Sequence, residues 1–289
     1  MNKTLLSYLL IIGIAGVTGS IGGYVAKKLL GGVDTIIIGD PEAFQDDSAA
    51  LLQRYEANPN DNYSPSQLVN IGLEKYRNQE NSYSYSVGIG ETVVSQDIRN
   101  YQIKNGDHYF EESISTSSMV SLANRVYQNG VDGDIEFYKG KSVTNESGSY
   151  PESPRVMSKE DYKSTFGKTP DRMFIYILSD QSVIENECSV SKSDGKITVK
   201  LSLDPDKATY NYKLQMMNIS GLDNLPVFQY LKHEYIFDSQ MNLLQYTLDE
   251  EYDAQMMVSA HIHALINVKC FPGQYLKIPG LKDNLNYTL

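Results

Sequence analysis

The most apolar stretch of the chain runs from Thr4 to Ala26 and contains no Asp, Glu, Lys or Arg. A membrane-spanning helix needs about 20 mainly apolar residues, so this stretch is long enough to cross a bilayer. Lys3 precedes it and Lys27-Lys28 follow, so the positive charges do not settle its orientation. The pattern predicts a signal or single-pass transmembrane helix over residues 1–33. The body would then lie outside the cytoplasm at the cell membrane, or be secreted if the segment is cleaved.

The same stretch has a second interpretation as a nucleotide-binding turn. It resembles the glycine turn of short-chain dehydrogenases, in the run Gly16-Val17-Thr18-Gly19-Ser20-Ile21-Gly22. This resemblance implies an NAD(P)-binding Rossmann domain, with Asp40 where that family places its ribose-binding acid. Such a domain alternates strands with helices of 10 to 15 residues, whereas the chain after residue 82 reads as strand after strand. The anchor is therefore the favoured interpretation, and NAD(P) binding stays an alternative.

From residue 82 onward, apolar and polar residues alternate as they do in half-buried strands. The run at 82–90 places Tyr83, Tyr85, Val87 and Ile89 on one face. Asn105-Gly106 and Asp194-Gly195 predict hairpin turns. We expect about ten strands, mostly joined as antiparallel meanders, with the last strand over 258–271.

Helices are few in the predicted fold. Ser64-Pro65 has the N-cap and first-residue pattern of a helix start, and further helices are expected at 158–166 and 204–218, with a short helical stretch at 119–123. Residues 34–63 contain several Pro and Asn breaks and are interpreted as a linker. The predicted fold class is α+β: after the N-terminal helix, residues 64–289 form one extracytoplasmic domain, a large curved antiparallel sheet (a half-barrel) with a few packed helices.

Composition narrows the classes of partner. The formal net charge is −11 and the pI about 4.9, and no basic stripe is visible, so a nucleic-acid partner is not expected. The 22 tyrosines suit half-exposed strand faces, because the ring packs while the hydroxyl stays hydrated. No cofactor-binding motif is found outside the glycine turn.

Two groups of residues are candidates for chemistry. Cys188 and Cys270 are either a disulfide, in an oxidising location, or two buried thiols. His261 and His263 share a strand face and would begin a zinc site if the preceding strand supplied a carboxylate from Asp249, Glu250, Glu251 or Asp253. An ordinary polar sheet face is the simpler interpretation. No catalytic motif is found, so catalytic residues are not assigned and an enzyme is not favoured.

The element order of the body resembles the LolA/LppX-type lipoprotein-carrier superfamily. The resemblance lies in one helix at 67–77 followed by the hairpin-linked strands SYSYSVGIGETVVSQDIRNYQIKNGDHYFEES, and it extends over residues 64–272. It implies a curved antiparallel sheet wrapped around helices, with lipid or another apolar ligand on the concave side. The family's ligand contacts are loosely defined apolar positions, so the ligand-binding residues stay unknown.

Two functions follow as expectations. The first is a membrane-tethered extracytoplasmic protein that binds a lipid or other apolar small molecule on its curved sheet. The second is a surface protein–protein interaction or structural module, whose concave side is filled by its own helices. A hollow plugged by the helix at 158–166 or at 205–218 would favour the second.

Overall fold

The computed structural model describes residues 47–91, 96–116, 121–130, 132–144, 147–166, 169–172, 178–209, 212–213, 225–255 and 259–279. Within these residues, twelve strands form one open antiparallel sheet with few helices. The strands in chain order are β1 (Asn81–Glu91), β2 (Gln96–Asn105), β3 (His108–Thr116), β4 (Ser121–Asn129), β5 (Ile135–Thr144), β6 (Ser147–Ser149), β7 (Arg155–Met157), β8 (Ser189–Ser193), β9 (Lys196–Ser202), β10 (Val227–Asp238), β11 (Leu243–Gln255) and β12 (Ser259–Pro272).

Two meanders make up this sheet. The first runs β6-β5-β4-β3-β2-β1, with β7 also paired to β5, and the second runs β12-β11-β10-β9-β8. They are joined where β1 pairs antiparallel with β12, from Ser82 opposite Pro272 to Glu91 opposite His263. The first and last strands of the body therefore lie at the middle of the sheet, and the short strands β6 and β8 lie at its edges.

The face that carries the helices is called the inner face. Helix α1 (Ser48–Ala57) and helix α2 (Pro65–Arg77) pack on its β9–β12 half and share one apolar core with those strands. Ser64 caps α2: its Oγ accepts from the Gln67 backbone N–H, and its own N–H donates to Gln67 Oε1 at 3.1 Å. This capping box satisfies two N–H groups that a helix start leaves unpaired, and it confirms the predicted start at Ser64-Pro65.

Two smaller clusters complete the packing. Helix α3 (Lys159–Phe166) buries Tyr162 on the inner face at the other end of the sheet, against Val126, Ile135, Phe137 and Met157. On the opposite, outer face, the segment after β12 places Ile278 over the side chains Ile103, Phe110 and Tyr127. The remaining helices are two 3₁₀ turns, Pro170–Arg172 and Glu185–Glu187, and the short helix α4 (Pro205–Ala208).

The antiparallel sheet with few helices is confirmed, with local differences. The first hairpin turns at Gly106-Asp107, one residue later than predicted, because Asn105 pairs with His108 and Gly106 takes φ +59°. The hairpin at Asp194-Gly195 is confirmed, with both residues at positive φ. The predicted helical stretch at 119–123 is wrong over Ser121–Ala123, which start β4 and pair with β3.

Some predictions fall outside the described residues. These are the helix over 1–33, the turn at Gly16–Gly22 and most of the helix over 204–218, of which α4 is described. The predicted linker at 34–63 includes α1, whose Leu51 and Leu52 are buried in the core. The domain boundaries stay a prediction.

Across the part of the chain that the structure describes, no helix combines the length and the apolar character needed to span a membrane.

The contact between α2 and β10 generates a stability prediction. A Cβ on Gly72 would overlap the ring of Phe237, which is fully buried. Gly72→Ala should therefore lower the free energy of unfolding by about 1 kcal/mol or more, since overpacking outweighs the better helix propensity of Ala. Urea unfolding followed by circular dichroism measures this loss. Gln53→Ala, on the exposed side of α1, is the control and should change stability by less than about 0.5 kcal/mol. A more stable Gly72→Ala variant would contradict the tight contact.

Candidate functional site

A row of buried polar side chains crosses four neighbouring strands on the inner face. Ser86 of β1 lies opposite Asn100 of β2, Asn100 opposite Ser113 of β3, and Ser113 opposite Asn124 of β4. Residues directly opposite each other in a ladder share a face, so the four side chains form one line, called here the polar row. Their exposed fractions are 4%, 5%, 2% and 5%.

The polar row continues an apolar one. On the other side of the β1–β12 pair, the same line runs through Val268, Tyr246, Tyr235 and Val199, which belong to strands of the second meander. Val268, Tyr235 and Val199 are buried in the main core, and Tyr246 packs against it. The chemistry of the inner face therefore changes from apolar to hydrogen-bonding at the step from Val268 to Ser86.

Three atoms of the polar row have no hydrogen-bond partner within the described part of the chain: Ser86 Oγ, Asn100 Oδ1 and Ser113 Oγ. A buried polar group without a partner costs about 1–3 kcal/mol. Buried polar groups in native proteins are almost always bonded to protein, water or ligand. Three such atoms in one line set the polar row apart from the apolar core that it continues.

The next line of side chains adds polar neighbours. Glu111, 5% exposed, accepts a hydrogen bond from Asn100 Nδ2 at 3.1 Å. Gln102 lies opposite Glu111 and accepts from Ser84 Oγ at 3.5 Å. A small cavity of about 10 Å³, with room for about one water molecule, adjoins these side chains, and Tyr109, Val126 and Pro170 are among its lining residues. Burial raises the pKa of Tyr109 to about 12, so its hydroxyl stays protonated at neutral pH.

The alternation in β1 explains why the row is polar. Serines at 82, 84 and 86 point to the inner face, and the larger side chains Tyr83, Tyr85, Val87 and Ile89 share the outer face, as predicted. Tyr83 stacks on Phe271 there, and Tyr85 accepts a hydrogen bond from Arg99. Val87 and Ile89 remain 37% and 44% exposed. In β1 the serines are buried and the apolar side chains are partly exposed, which is the reverse of what hydrophobicity alone indicates. A sequence analysis of single strands therefore misses the polar row.

The chain's own helices occupy both ends of the inner face. Tyr162 of α3 fills the β4–β7 end, and Ala208 of α4 together with Tyr212 lies in the core at the β9–β12 end. These are the helices whose position was to separate the two expected functions. Both plug the part of the face that they cover, which favours the interaction or structural module for those parts. The polar row and the small cavity lie between them.

His261 and His263 lie on the outer face, on the opposite side of the sheet from the polar row. His261 contacts Asp253 at 2.8 Å and Glu251 at 2.9 Å, and His263 contacts Asp249 at 3.0 Å. Among the described residues, no group of three or more His, Cys, Asp or Glu side chains is arranged to hold a metal ion. The two histidines lie on the outer face of the sheet, and each is hydrogen-bonded to a carboxylate.

Glu250 differs from its acidic neighbours because it faces inward. Its carboxylate accepts a hydrogen bond from Tyr212 at 2.9 Å and lies 3.5 Å from His233 Nε2, and the His233 and Glu250 side chains are fully buried. The side chain of His233 also contacts the Tyr235 hydroxyl at 3.3 Å. The sequence carried a signal for this network, since Glu250 has the strand parity of Leu248 and Tyr252.

Both cysteines are free thiols. Cys270 is buried at the end of β12, where burial raises its thiol pKa, and Cys188 donates to the Ile184 carbonyl at 3.3 Å just before β8. Strands β9, β10 and β11 lie between β12 and β8. At about 4.8 Å per strand, the two thiols are too far apart for a disulfide, which needs Cα atoms within about 7 Å.

Comparisons with known proteins add little beyond the fold. No family model matches the chain, and no curated protein matches it. Among solved structures, it is similar to a lipovitellin structure concerned with lipid–protein interactions, at 8% identity and a TM-score of 0.23. The match covers 68% of this chain and 26% of that chain, so the chain spans about a quarter of its length. A likeness of this size says nothing about the ligand.

The outer-face histidines generate a pH prediction. The hydrogen bond to Asp253, helped by the charges of Asp253 and Glu251, raises the pKa of His261 above its ordinary value of 6.5. The stabilising contribution of the protonated imidazole is then complete below pH 6.5 and is lost as the pH rises through the raised pKa. An NMR titration of the His261 ring proton should give a midpoint above 6.5, and Asp253→Asn should lower it. Asp132→Asn, in the turn before β5, should leave it unchanged. A wild-type midpoint below 6.5 would refute the pairing.

The buried network generates a second prediction. Glu250→Ala leaves the Tyr212 hydroxyl and the His233 ring in the core without their carboxylate, and should cost about 3 kcal/mol in the free energy of unfolding. Glu250→Gln keeps an acceptor for Tyr212 and should cost less. Glu251→Ala, one residue on and on the outer face, removes only the exposed ion pair with His261 and should cost less than about 1 kcal/mol. Equal losses for the Glu250→Ala and Glu251→Ala variants in urea unfolding would show that the network does not stabilise the core.

Proposed function

We propose that this chain is a membrane-tethered, extracytoplasmic binding protein that holds an amphipathic ligand, such as a lipid, on the inner face of its sheet. One observation carries the proposal: the middle of the inner face is polar, with three buried atoms that lack partners in the described residues, while the β9–β12 half of the face and the cluster under α3 are apolar. A ligand with a polar part and an apolar part has the same division.

Apolar side chains of two core clusters lie near the polar row. On one side of the polar row lie Val268 and Ile266 of β12, and on the other side lie Val126 of β4 and Phe137 of β5. All four side chains are already buried in the chain's own core clusters. The serine side chains of β1 are small and project little from the sheet between these two groups of residues.

The size of the sheet supports a concave inner face. Strongly twisted open sheets rarely exceed about ten strands without curling, and this one has twelve within the described residues. The lipoprotein-carrier fold that the sequence resembles holds apolar ligands on the concave side of such a sheet, which supports the same arrangement here.

The apolar stretch from Thr4 to Ala26 supports the tether. A helix of this length would hold the body close to a membrane surface, where amphipathic molecules are concentrated. The net charge of −11 disfavours attachment of the body itself to an anionic membrane surface.

The test is photo-crosslinking of the full chain in vesicles that contain a diazirine-bearing fatty acid. We expect crosslinks in peptides from residues 81–129, in addition to any in residues 4–26. Ser113→Leu places a large side chain in the polar row and should abolish the crosslinks in residues 81–129. Ser191→Leu, the same change on the exposed edge strand β8, should leave them in place.

Circular dichroism shows whether each leucine variant is folded. Crosslinks confined to residues 4–26 in the wild-type chain would mean that only the N-terminal segment meets lipid, and the proposal would be wrong.

A further inference from the structure

We infer that the outer face of the sheet, where β1 pairs with β12, is a docking surface for a basic amphipathic helix of another protein. The surface consists of the exposed apolar side chains Val87, Ile89 and Leu265, flanked by Asp97 and Asp249, and is called here the outer patch. It lies on the opposite side of the sheet from the polar row, so the inference does not depend on a ligand at the inner face.

The outer patch is apolar surface that the chain leaves exposed to solvent. Ile89 lies directly opposite Leu265, and Val87 is the next residue of β1 on the same face, so the three side chains are neighbours. Each is more than a third exposed, at 37% for Val87, 44% for Ile89 and 39% for Leu265. Elsewhere on this face, the segment that carries Ile278 covers apolar side chains of β2, β3 and β4. Contiguous apolar surface that stays exposed often marks an interaction site.

Carboxylates flank the outer patch on both sides. In the line of side chains across the sheet, Asp97 of β2 lies opposite Ile89, and Asp249 of β11 lies opposite Leu265. The order along this line is therefore carboxylate, apolar, apolar, carboxylate. The three steps cover about 14 Å, because neighbouring strands are about 4.8 Å apart. A partner that fits this line carries apolar side chains in its middle and positive charges on both sides.

The acidic side continues along β11. Glu251 and Asp253 share the face of Asp249, because alternate residues of a strand point the same way. All three carboxylates contact His261 or His263 and remain partly exposed. Cations of a partner can therefore reach them. Complementary charges across an interface speed association and disfavour wrong partners.

Two cations beside the outer patch are held by tyrosines. Lys232, opposite Asp249 on β10, places its Nζ 5.0 Å from the centre of the Tyr230 ring. Arg99 of β2 donates a hydrogen bond to the Tyr85 hydroxyl at 3.1 Å. The carboxylates on either side thus give the patch an acidic rim. Such a rim disfavours an anionic membrane surface, and it disfavours the identical patch of a second copy of this chain.

The position of the outer patch within the sheet indicates which element of a partner fits. Strand β1 is paired on both sides, by β2 and β12, and β12 is paired by β1 and β11. Neither strand has a free edge, so a partner strand cannot be added to the ladder there. A helix, in contrast, packs its apolar stripe on a sheet face through side chains alone. At about 1.5 Å per residue, about ten residues of helix cover the distance between the flanking carboxylates.

The test uses two designed peptides as probes. The first is a helix-forming peptide of Leu and Lys, about 14 residues long, with its leucines on one helix face, and the second has Glu in place of every Lys. Fluorescence anisotropy of each labelled peptide measures its affinity for the full chain in phosphatidylcholine nanodiscs, with empty nanodiscs as the blank. We expect the basic peptide to bind at least about 10-fold more tightly than the acidic peptide. Its affinity should fall several-fold between about 0.05 M and 0.3 M salt, because exposed charges are screened.

The first variant removes the apolar centre of the outer patch. The Ile89→Thr, Leu265→Thr double variant keeps side chains that suit a strand but exposes less apolar surface. It should bind the basic peptide at least about 10-fold more weakly, because less apolar area is removed from water on binding. Val190→Thr is the control, since Val190 is 38% exposed on the edge strand β8, and it should leave the affinity unchanged.

The second variant removes the charge on both sides. The Asp97→Asn, Asp249→Asn double variant should bind the basic peptide at least about 5-fold more weakly and with a smaller dependence on salt. The Asp132→Asn, Asp134→Asn double variant removes the same charge from an exposed stretch before β5 and should change the affinity by less than about 2-fold. Circular dichroism shows whether each variant is folded. If the threonine variant is not folded, the asparagine variant decides, because it changes charge and hardly changes shape.

Other occupants of the outer patch give different outcomes. Equal binding of the two peptides, or an unchanged affinity in either folded double variant of the patch, would overturn the inference. A wild-type dimer in native mass spectrometry that the Ile89→Thr, Leu265→Thr variant loses would identify a second copy as the occupant and would also overturn it. Loss of the fatty-acid crosslinks in that variant, with unchanged peptide affinity, would identify bilayer lipid instead. Peptide binding and the crosslinks of the wild-type chain are separate readouts, so failure of this inference leaves the proposed function in place.

Discussion

The antiparallel pair between β1 and β12 is the contact on which the rest of the sheet depends. Each of the two meanders pairs strands that follow one another in the chain. Only the pairing of residues 82–91 with residues 263–272 unites them into one sheet. The approach is close, since a Cβ on Gly88 would lie 2.9 Å from Ile266 Cγ1. Without this pair, α2 would cover half a sheet and the polar row would lie at an exposed strand edge.

The same pair is also the chemical boundary of the inner face. On the β12 side the face is a conventional core, in which the buried exception is the His233–Glu250 pair with its tyrosine partners. On the β1 side, polar side chains are buried in a line and the apolar residues of the strand face outward. A protein that needed only stability would continue the apolar core across this boundary, because buried polar groups without partners are costly. The retained polar row is what distinguishes this half of the sheet from the apolar core of the other half.

Much of the fold was predictable because its determinants are local. The capping box at Ser64, the turn at Asp194-Gly195 and the alternation in β12 each depend on a few neighbouring residues. The candidate site was not predictable in the same way. Each strand contributes a single Ser or Asn to the polar row, and those residues meet only through pairing. Which face of β1 is buried depends on its pairing with β12. In this pairing Ser86 lies opposite Val268, which is 182 positions away along the chain. The inward orientation of Glu250, in contrast, could be predicted from strand parity alone.

The pairing of the first strand of the sheet with its last has a consequence for biogenesis. A contact between segments so distant in sequence cannot form until the C-terminal strand has been synthesised, and contacts of this kind slow folding. Until then β1 presents an unpaired edge, which is the type of surface that recruits other chains. The topology thus delays completion of the sheet until β12 has been synthesised.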